Sequence, residues 1–119
     1  MRILESIESD IAVLKVDGKL MSPPHVVAFH DHVRRLISEH QTVNVVADFS
    51  AVAWFGSAML GVMVASLISL RREGGDLRLT GLNRATKRVM AVTHLTDVFW
   101  IGQTVDHGVT SFQTSPSAI

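Results

Sequence analysis

The chain contains no cysteine and no tyrosine, and only three of its 119 residues are proline. The absence of cysteine excludes disulfide bonds, thiolate metal sites and cysteine nucleophiles. Its charges also lack a dominant sign, because eleven Lys and Arg residues balance eleven Asp and Glu residues. A chain without a basic surplus is not expected to bind nucleic acid directly.

The residues that are present indicate an ordinary globular domain, with 47% hydrophobic and 18% charged residues. A chain of this length fits one domain, and we expect it over residues 1–112, followed by a flexible tail over residues 113–119. Glu5 and Glu8 stand where a secretory signal would have an unbroken apolar core. We therefore expect a cytoplasmic protein.

Residues 50–70 carry no charge and are long enough to span a membrane. However, Gly56 and Ser57 interrupt this stretch, and strand-like segments flank it closely on both sides. We expect a buried strand end followed by a core helix, and no transmembrane segment.

Hydrophobic periodicity predicts the secondary structure. Alternating residues predict strands over residues 3–9 and 11–17, and apolar residues at spacings of three and four predict a helix from about His25 to His40. Similar patterns predict the remaining elements: strands over 43–49, 76–82 and 98–101, and helices over 58–72, 84–92 and 104–112. Asn83 is expected to cap the third helix, with Val89 and Val92 facing the core. The order β-β-α-β-α-β-α-β-α predicts an α/β fold with a mixed five-stranded sheet and about four helices.

One segment carries a family resemblance: residues 45–61 read VVADFSAVAWFGSAMLG. They resemble the signature of STAS domains, in which a strand ends in Asp and a short turn then presents a serine that opens a helix. The likeness continues through RREGGDLRL at residues 71–79 and through residues 84–99. The resemblance covers about residues 10–112 and implies a STAS-like fold of the anti-sigma factor antagonist type.

The resemblance also implies a function. In anti-sigma factor antagonists of this family, the matching serine is phosphorylated by a serine kinase that is itself the anti-sigma factor, and Ser57 occupies that position. Asp48 would stabilise the turn. The implied partner is an anti-sigma factor of the GHKL serine kinase type, and the implied partner-binding residues are Met21, Gly56, Ser57, Ala58 and Met59.

Elementary chemistry is compatible with that role for Ser57. A hydroxyl at a helix start lies beside unpaired backbone N–H groups and the positive end of the helix dipole, where a phosphate is tolerated. The added charge could then repel a partner. A role for Ser57 as a simple N-cap remains an alternative.

Five positions depart from the family pattern, among them Ala58, where the family often has Ser, and Met59, where it has Gly. Gly56 and Met21 stand where the family has acidic residues, and His94 stands where it has glycine. Because the two acids are missing, two other functions stay open: an accessory subunit of an ABC-type lipid transporter, and a scaffold domain of a signalling complex. We expect the chain itself to be a monomer or a weak dimer, whereas a scaffold role would place it in a high-mass complex.

None of the motifs of three kinds of enzyme site matches the sequence. The glycines at 56 and 61 have the spacing of a phosphate-binding loop, but Val62 and Met63 replace its Lys and Ser/Thr. A hydrolase nucleophile elbow has glycines two residues before and two residues after its serine, but Phe55 and Met59 stand at those positions around Ser57. The histidines of the first predicted helix show no chelating spacing of three or four residues: His25, His30, His32 and His40. We therefore expect no catalytic activity, no metal site and no cofactor.

Overall fold

The computed structural model describes residues 2–17 and 23–113. Nine elements follow one another in the predicted order: β1 (Arg2–Glu8), β2 (Ile11–Asp17), α1 (Pro23–His40), β3 (Asn44–Ala51), α2 (Ser57–Arg72), β4 (Asp76–Thr80), α3 (Arg84–Val92), β5 (Trp100–Gly102) and α4 (Val105–Gln113). The predicted fold class is thereby confirmed. Gln113, the first residue of the expected tail, belongs to α4, and residues 114–119 lie outside the described residues.

The five strands form one sheet in the order β1-β2-β3-β4-β5. β1 is antiparallel to β2, whereas β2, β3, β4 and β5 are parallel to one another. A helix connects each parallel strand to the next, so the chain always returns in the same direction. The carboxyl ends of β3 and β4 therefore lie at the same end of the sheet, together with the loops that follow them.

The larger core lies between one face of the sheet and α1, α2 and α3. On α2, the buried residues recur at spacings of three and four and form one stripe: Met59, Leu60, Met63, Ser66, Leu67 and Leu70. Three fully buried rings continue this core, since Phe49 lies between Phe29 and Phe55 with ring centroids 6.5 and 5.5 Å away. Fully burying one such side chain contributes about 1.5–3 kcal/mol. The opposite face of the sheet carries α4 over a smaller apolar cluster.

The uncharged stretch over residues 50–70 forms the end of β3, a loop and most of α2. No helix within residues 2–17 and 23–113 combines the length and apolarity that crossing a bilayer requires.

Two details differ from the sequence-based expectation. Val92 is 67% exposed, and the buried residues of α3 are Thr86 and Met90. Val89 is half-buried and packs against the core as predicted, but Val92 lies two residues, or about 200°, from Met90 around a helix with 3.6 residues per turn and so faces outward. The fifth strand is Trp100–Gly102, because a turn in which the N–H of Val98 donates to the carbonyl of Leu95 delays its start.

Candidate functional site

The loop between β3 and α2, residues 52–56, lies at the carboxyl end of the parallel strands. At its start, the N–H of Val52 donates to the carbonyl of Phe49 at 3.0 Å, and the Val52 side chain is buried. We call residues 52–56 the β3–α2 loop. Three further contacts fix the loop and the end of β3 that leads into it.

The first contact is at the end of β3. Asp48, predicted to stabilise this turn, accepts a hydrogen bond at Oδ1 from the N–H of Ser50 at 2.9 Å. Gly81, which follows β4, packs directly against this bond and has a left-handed φ of 74°. A Cβ at position 81 would lie 2.8 Å from both Asp48 Oδ1 and Ser50 N. Glycine therefore allows the exit of β4 to pass close to the end of β3.

The second contact comes from Asn83, thirty residues along the chain. Its amide Nδ2 donates to the carbonyl of Ala53 at 2.9 Å and to that of Val52 at 3.3 Å. Its Oδ1 accepts from the N–H of Thr86 at 2.8 Å, which caps α3 as predicted. One side chain thus joins the β3–α2 loop to the start of α3. The sequence indicated only the cap, because nothing local marks the tertiary bonds.

The third contact is aromatic, and the two rings of the loop point in opposite directions. Phe55 is fully buried and meets Phe49 edge to face, so it anchors the loop in the core. Trp54 is 58% exposed. Its ring lies beside Gly56, since a Cβ on that glycine would be 3.0 Å from Trp54 Cη2. The loop therefore shows an aromatic surface next to the start of α2.

Ser57 is the first residue of α2 and is exposed. The N-cap is Gly56, which supplies no side-chain bond, so the alternative of Ser57 as the N-cap is wrong. Ala58 is also exposed, whereas Met59 is fully buried. The structure thus brings Gly56, Ser57 and Ala58 together at the surface. It corrects the expectation for Met59, whose side chain belongs to the core stripe of α2, and Met21 lies outside the described residues.

Comparison with known protein families identifies the family of this chain. The model of the STAS domain matches residues 3–108. The chain belongs to the STAS family. The signature segment at residues 45–61 corresponds to β3, the β3–α2 loop and the first turn of α2.

Solved STAS structures share this fold. A candidate anti-sigma factor antagonist from Thermotoga maritima superposes with a TM-score of 0.84 at 22% identity, over 93% of this chain and 94% of that one. An anti-sigma factor antagonist from Mycobacterium paratuberculosis gives 0.81 at 23% identity, over 94% and 93%. The Bacillus cell fate determinant SpoIIAA in its phosphorylated form gives 0.73 at 12% identity, over 94% and 99%.

The start of α2, where Ser57 lies, carries no negative charge of its own. The first turn of α2 contains no acidic residue, and its backbone N–H groups give it the positive end of the helix dipole. Asn83 also holds the start of α3 to the β3–α2 loop. Three exposed cations lie on α3 after Asn83: Arg84, Lys87 and Arg88. None of these three forms an ion pair within residues 2–17 and 23–113. The first turn of α2 and the exposed face of α3 therefore each favour anionic groups.

Proposed function

We propose that this STAS domain is a non-enzymatic regulatory module of the anti-sigma factor antagonist type, and that its partner is an anti-sigma factor with serine kinase activity. The observation that carries the proposal is the position of Ser57. Its exposed hydroxyl lies at the first residue of α2, and the β3–α2 loop beside it is fixed by Asn83 and Phe55. Asp48 fixes the end of β3 that leads into this loop. A rigid loop that presents a free hydroxyl suits both recognition by a second protein and modification by a kinase.

The proposed contact surface consists of Trp54, Gly56, Ser57 and Ala58. It is small, uncharged and partly apolar, and it lies on an ordered backbone, so little conformational entropy is lost when a partner binds. Tryptophan is a frequent anchor in protein interfaces. The ring of Trp54 lies where a side chain at position 56 would extend, so an aromatic surface here replaces the carboxylate that the family pattern has.

Phosphorylation of Ser57 would be the switch. A phosphate at the first residue of α2 meets free N–H groups and the helix dipole, so the fold tolerates it. The same phosphate adds roughly −1.5 to −2 charges to an otherwise neutral contact surface, which a bound partner would have to desolvate. The phosphorylated form of SpoIIAA, which keeps the same fold, supports this mechanism.

A binding experiment with matched variants tests the proposal. The immobilised chain is incubated with lysate of its native cells, bound proteins are identified by mass spectrometry, and a recovered kinase is purified and incubated with the chain and ATP. We expect recovery of a GHKL-type kinase by the unchanged chain and by Ser57→Ala, loss of binding for Ser57→Asp, and transfer of one phosphoryl group to Ser57. Ser38→Asp, which adds the same charge at an exposed position of α1, is the control and should bind normally.

Equal binding by Ser57→Ala and Ser57→Asp would contradict the switch. Co-purification with membranes and unmodified Ser57 would instead favour the accessory subunit of a lipid transporter.

A further inference from the structure

The two edges of the sheet differ in how much unpaired backbone they expose. β5, at one edge, has three residues, whereas β1, at the other edge, has seven and pairs only with β2. The side chains of residues 4–8 are all exposed, including Leu4 at 45% and Ile7 at 52%. A long edge strand with apolar side chains and no proline is a template for pairing with another strand.

The hairpin geometry shows which backbone groups of β1 face outward. Ser9 and Asp10 form a two-residue turn, with φ values of 50° and 69°, and Glu8 lies opposite Ile11. Left-handed values at both positions define a type I′ turn, whose flanking residues form a hydrogen-bonded pair. Since bonded and non-bonded pairs alternate, the even-numbered residues bond to β2. The N–H and C=O groups of Ile3, Glu5 and Ile7 therefore point away from the sheet.

We propose that β1 pairs antiparallel with β1 of a second copy of this chain, about a twofold axis at Glu5. In this register Ile3 of each copy lies opposite Ile7 of the other, and the two Glu5 residues lie opposite each other. The three outward-facing residues of one strand then exchange backbone hydrogen bonds with those of the other. The result is one continuous sheet through both copies, which buries two unpaired edges.

The sequence of β1, RILESIE, is self-complementary in this register. A basic residue, Arg2, comes opposite an acidic one, Glu8, and the isoleucines meet on one face. Only even shifts keep outward-facing residues opposite each other. A shift by two residues in either direction would place Glu5 opposite an isoleucine and shorten the paired segment. This complementarity of charge and apolarity points to a second copy rather than to an unrelated strand.

The two Glu5 carboxylates would meet at the twofold axis, and their like charges oppose pairing. However, each carboxylate already has a partner in its own chain. Glu5 Oε1 lies 2.6 Å from His32 Nε2 on α1 of its own chain. The carboxylate is thereby drawn over the helix-covered face of the sheet. β1 is also separated from β3 by β2, so pairing leaves Ser57 accessible and a dimer would present two partner-binding surfaces.

Single-cysteine variants test the register directly, because the chain contains no other cysteine. At the axis, Glu5→Cys brings two Cα atoms to about 5.5 Å, within the range of a disulfide. Glu8→Cys is the matched control on the same exposed strand, where the two cysteines would be six positions, or about 20 Å, apart. Under mild oxidation we expect a covalent dimer from Glu5→Cys and at least tenfold less from Glu8→Cys. Equal crosslinking of the two variants, or none in either, would overturn the proposal.

Proline variants provide a second, independent test by sedimentation velocity over a range of concentrations. Glu5→Pro removes an outward N–H that β2 does not use, and proline is tolerated at such edge positions. We expect the unchanged chain to dimerise reversibly and Glu5→Pro to be monomeric with a native circular dichroism spectrum. Ser6→Pro removes an N–H that bonds β2, and should unfold at lower urea concentration. A chain that is monomeric at every concentration, or a dimer that survives Glu5→Pro, contradicts β1 pairing.

Discussion

The two ends of the parallel strands differ in what their polar side chains bind. At the carboxyl end, side chains hold the backbone: Asp48 bonds Ser50 at the end of β3, and Asn83 bonds the β3–α2 loop. Trp54 and Ser57 are left at the surface. At the amino end, the polar side chains bind one another.

The amino-end network centres on the carboxylate of Asp76. Its two oxygens lie 3.1 Å from Nε of Arg71 and 3.1 Å from Nε of Arg78. Arg78 Nη1 also donates to Ser111 Oγ at 2.8 Å, and its guanidinium lies 4.0 Å from the ring centroid of Phe112. Arg78 thus contacts a carboxylate, a hydroxyl and an aromatic ring at once. This end of the sheet is therefore built for stability.

The two ends therefore differ in which side chains remain available to a partner. At the carboxyl end, side chains hold the backbone, and the residues held in place, Ser57 above all, remain available to a partner. At the amino end, the side chains are already satisfied, and a ligand would have to displace an internal bond. We therefore expect substitutions at the carboxyl end to affect partner binding, and substitutions at the amino end to affect stability alone.

The largest effect is expected for Gly81→Ala. The new Cβ would lie 2.8 Å from Asp48 Oδ1 and Ser50 N, at a φ of 74° that disfavours alanine. We expect a loss of about 3 kcal/mol or more in the free energy of unfolding, measured in urea, together with weaker binding of the partner.

Gly61→Ala is the control for this substitution. Gly61 is exposed on α2, and a Cβ there would meet nothing within 4 Å. Alanine should stabilise the helix by about 0.5–1 kcal/mol. Similar unfolding midpoints for the two variants would show that close packing at Gly81 is not what fixes the end of β3.

The next largest effect is expected for Asn83→Ala, which removes both the cap of α3 and the bonds to the β3–α2 loop. A cap contributes about 1 kcal/mol and each bond to a carbonyl about 1 kcal/mol, so the loss should be about 2–3 kcal/mol. Asn83→Asp separates the two roles, because a carboxylate still caps α3 but cannot donate to the carbonyls of Val52 and Ala53.

Hydrogen exchange distinguishes these roles. For Asn83→Asp, we expect amide exchange to accelerate in residues 52–56 while α3 keeps its protection. Unchanged exchange in the loop would mean that Asn83 acts only as a helix cap.

A smaller effect is expected at the amino end, for Asp76→Ala. Arg71 is half exposed, but the side chain of Arg78 is 19% exposed and would lose its counterion. We expect a loss of about 1–2 kcal/mol, partly suppressed by salt, with partner binding unchanged. Because Asp76→Asn keeps an acceptor, it should lose less. A loss of partner binding in Asp76→Ala would break the distinction between the two ends.

The sequence predicted the order of elements because hydrophobic periodicity is strong in this chain. Val43 to Phe49 is apolar enough to mark a central strand, and α1 shows a clear stripe that includes Phe29 and Val33. The prediction failed where tertiary structure decides. Val92 is apolar yet exposed, and Phe99 is buried without belonging to a strand.

The candidate site was predictable only in its linear part. The STAS-like signature identified Ser57 and Asp48, both within a few residues of the strand–helix junction. It did not indicate Asn83, which bonds the β3–α2 loop, or Gly81, which packs against the end of β3. Both residues follow β4, about thirty positions along the chain. It also placed Met59 at the surface, because a motif gives positions along the chain but not the direction of each side chain.

The smallest effect is expected for His94→Gly, at the end of α3 away from the loop. The N–H of His94 donates to the carbonyl of Ala91, and that of Leu95 to the carbonyl of Met90. These bonds form a Schellman motif in which His94 has a left-handed φ of 61°. Glycine, which the family pattern has here, adopts this φ without a steric penalty, so we expect a gain of about 0.5–1 kcal/mol with no change in partner binding.

Thr93→Gly is the matched control one residue earlier. Thr93 has an ordinary φ of −94°, and its hydroxyl donates to the carbonyl of Val89 at 2.7 Å, so glycine there should destabilise. Urea unfolding of the two variants decides the point. If His94→Gly unfolds no later than the unchanged chain, the left-handed residue costs nothing at this position, and the histidine must be stabilised by a contact that offsets its backbone strain.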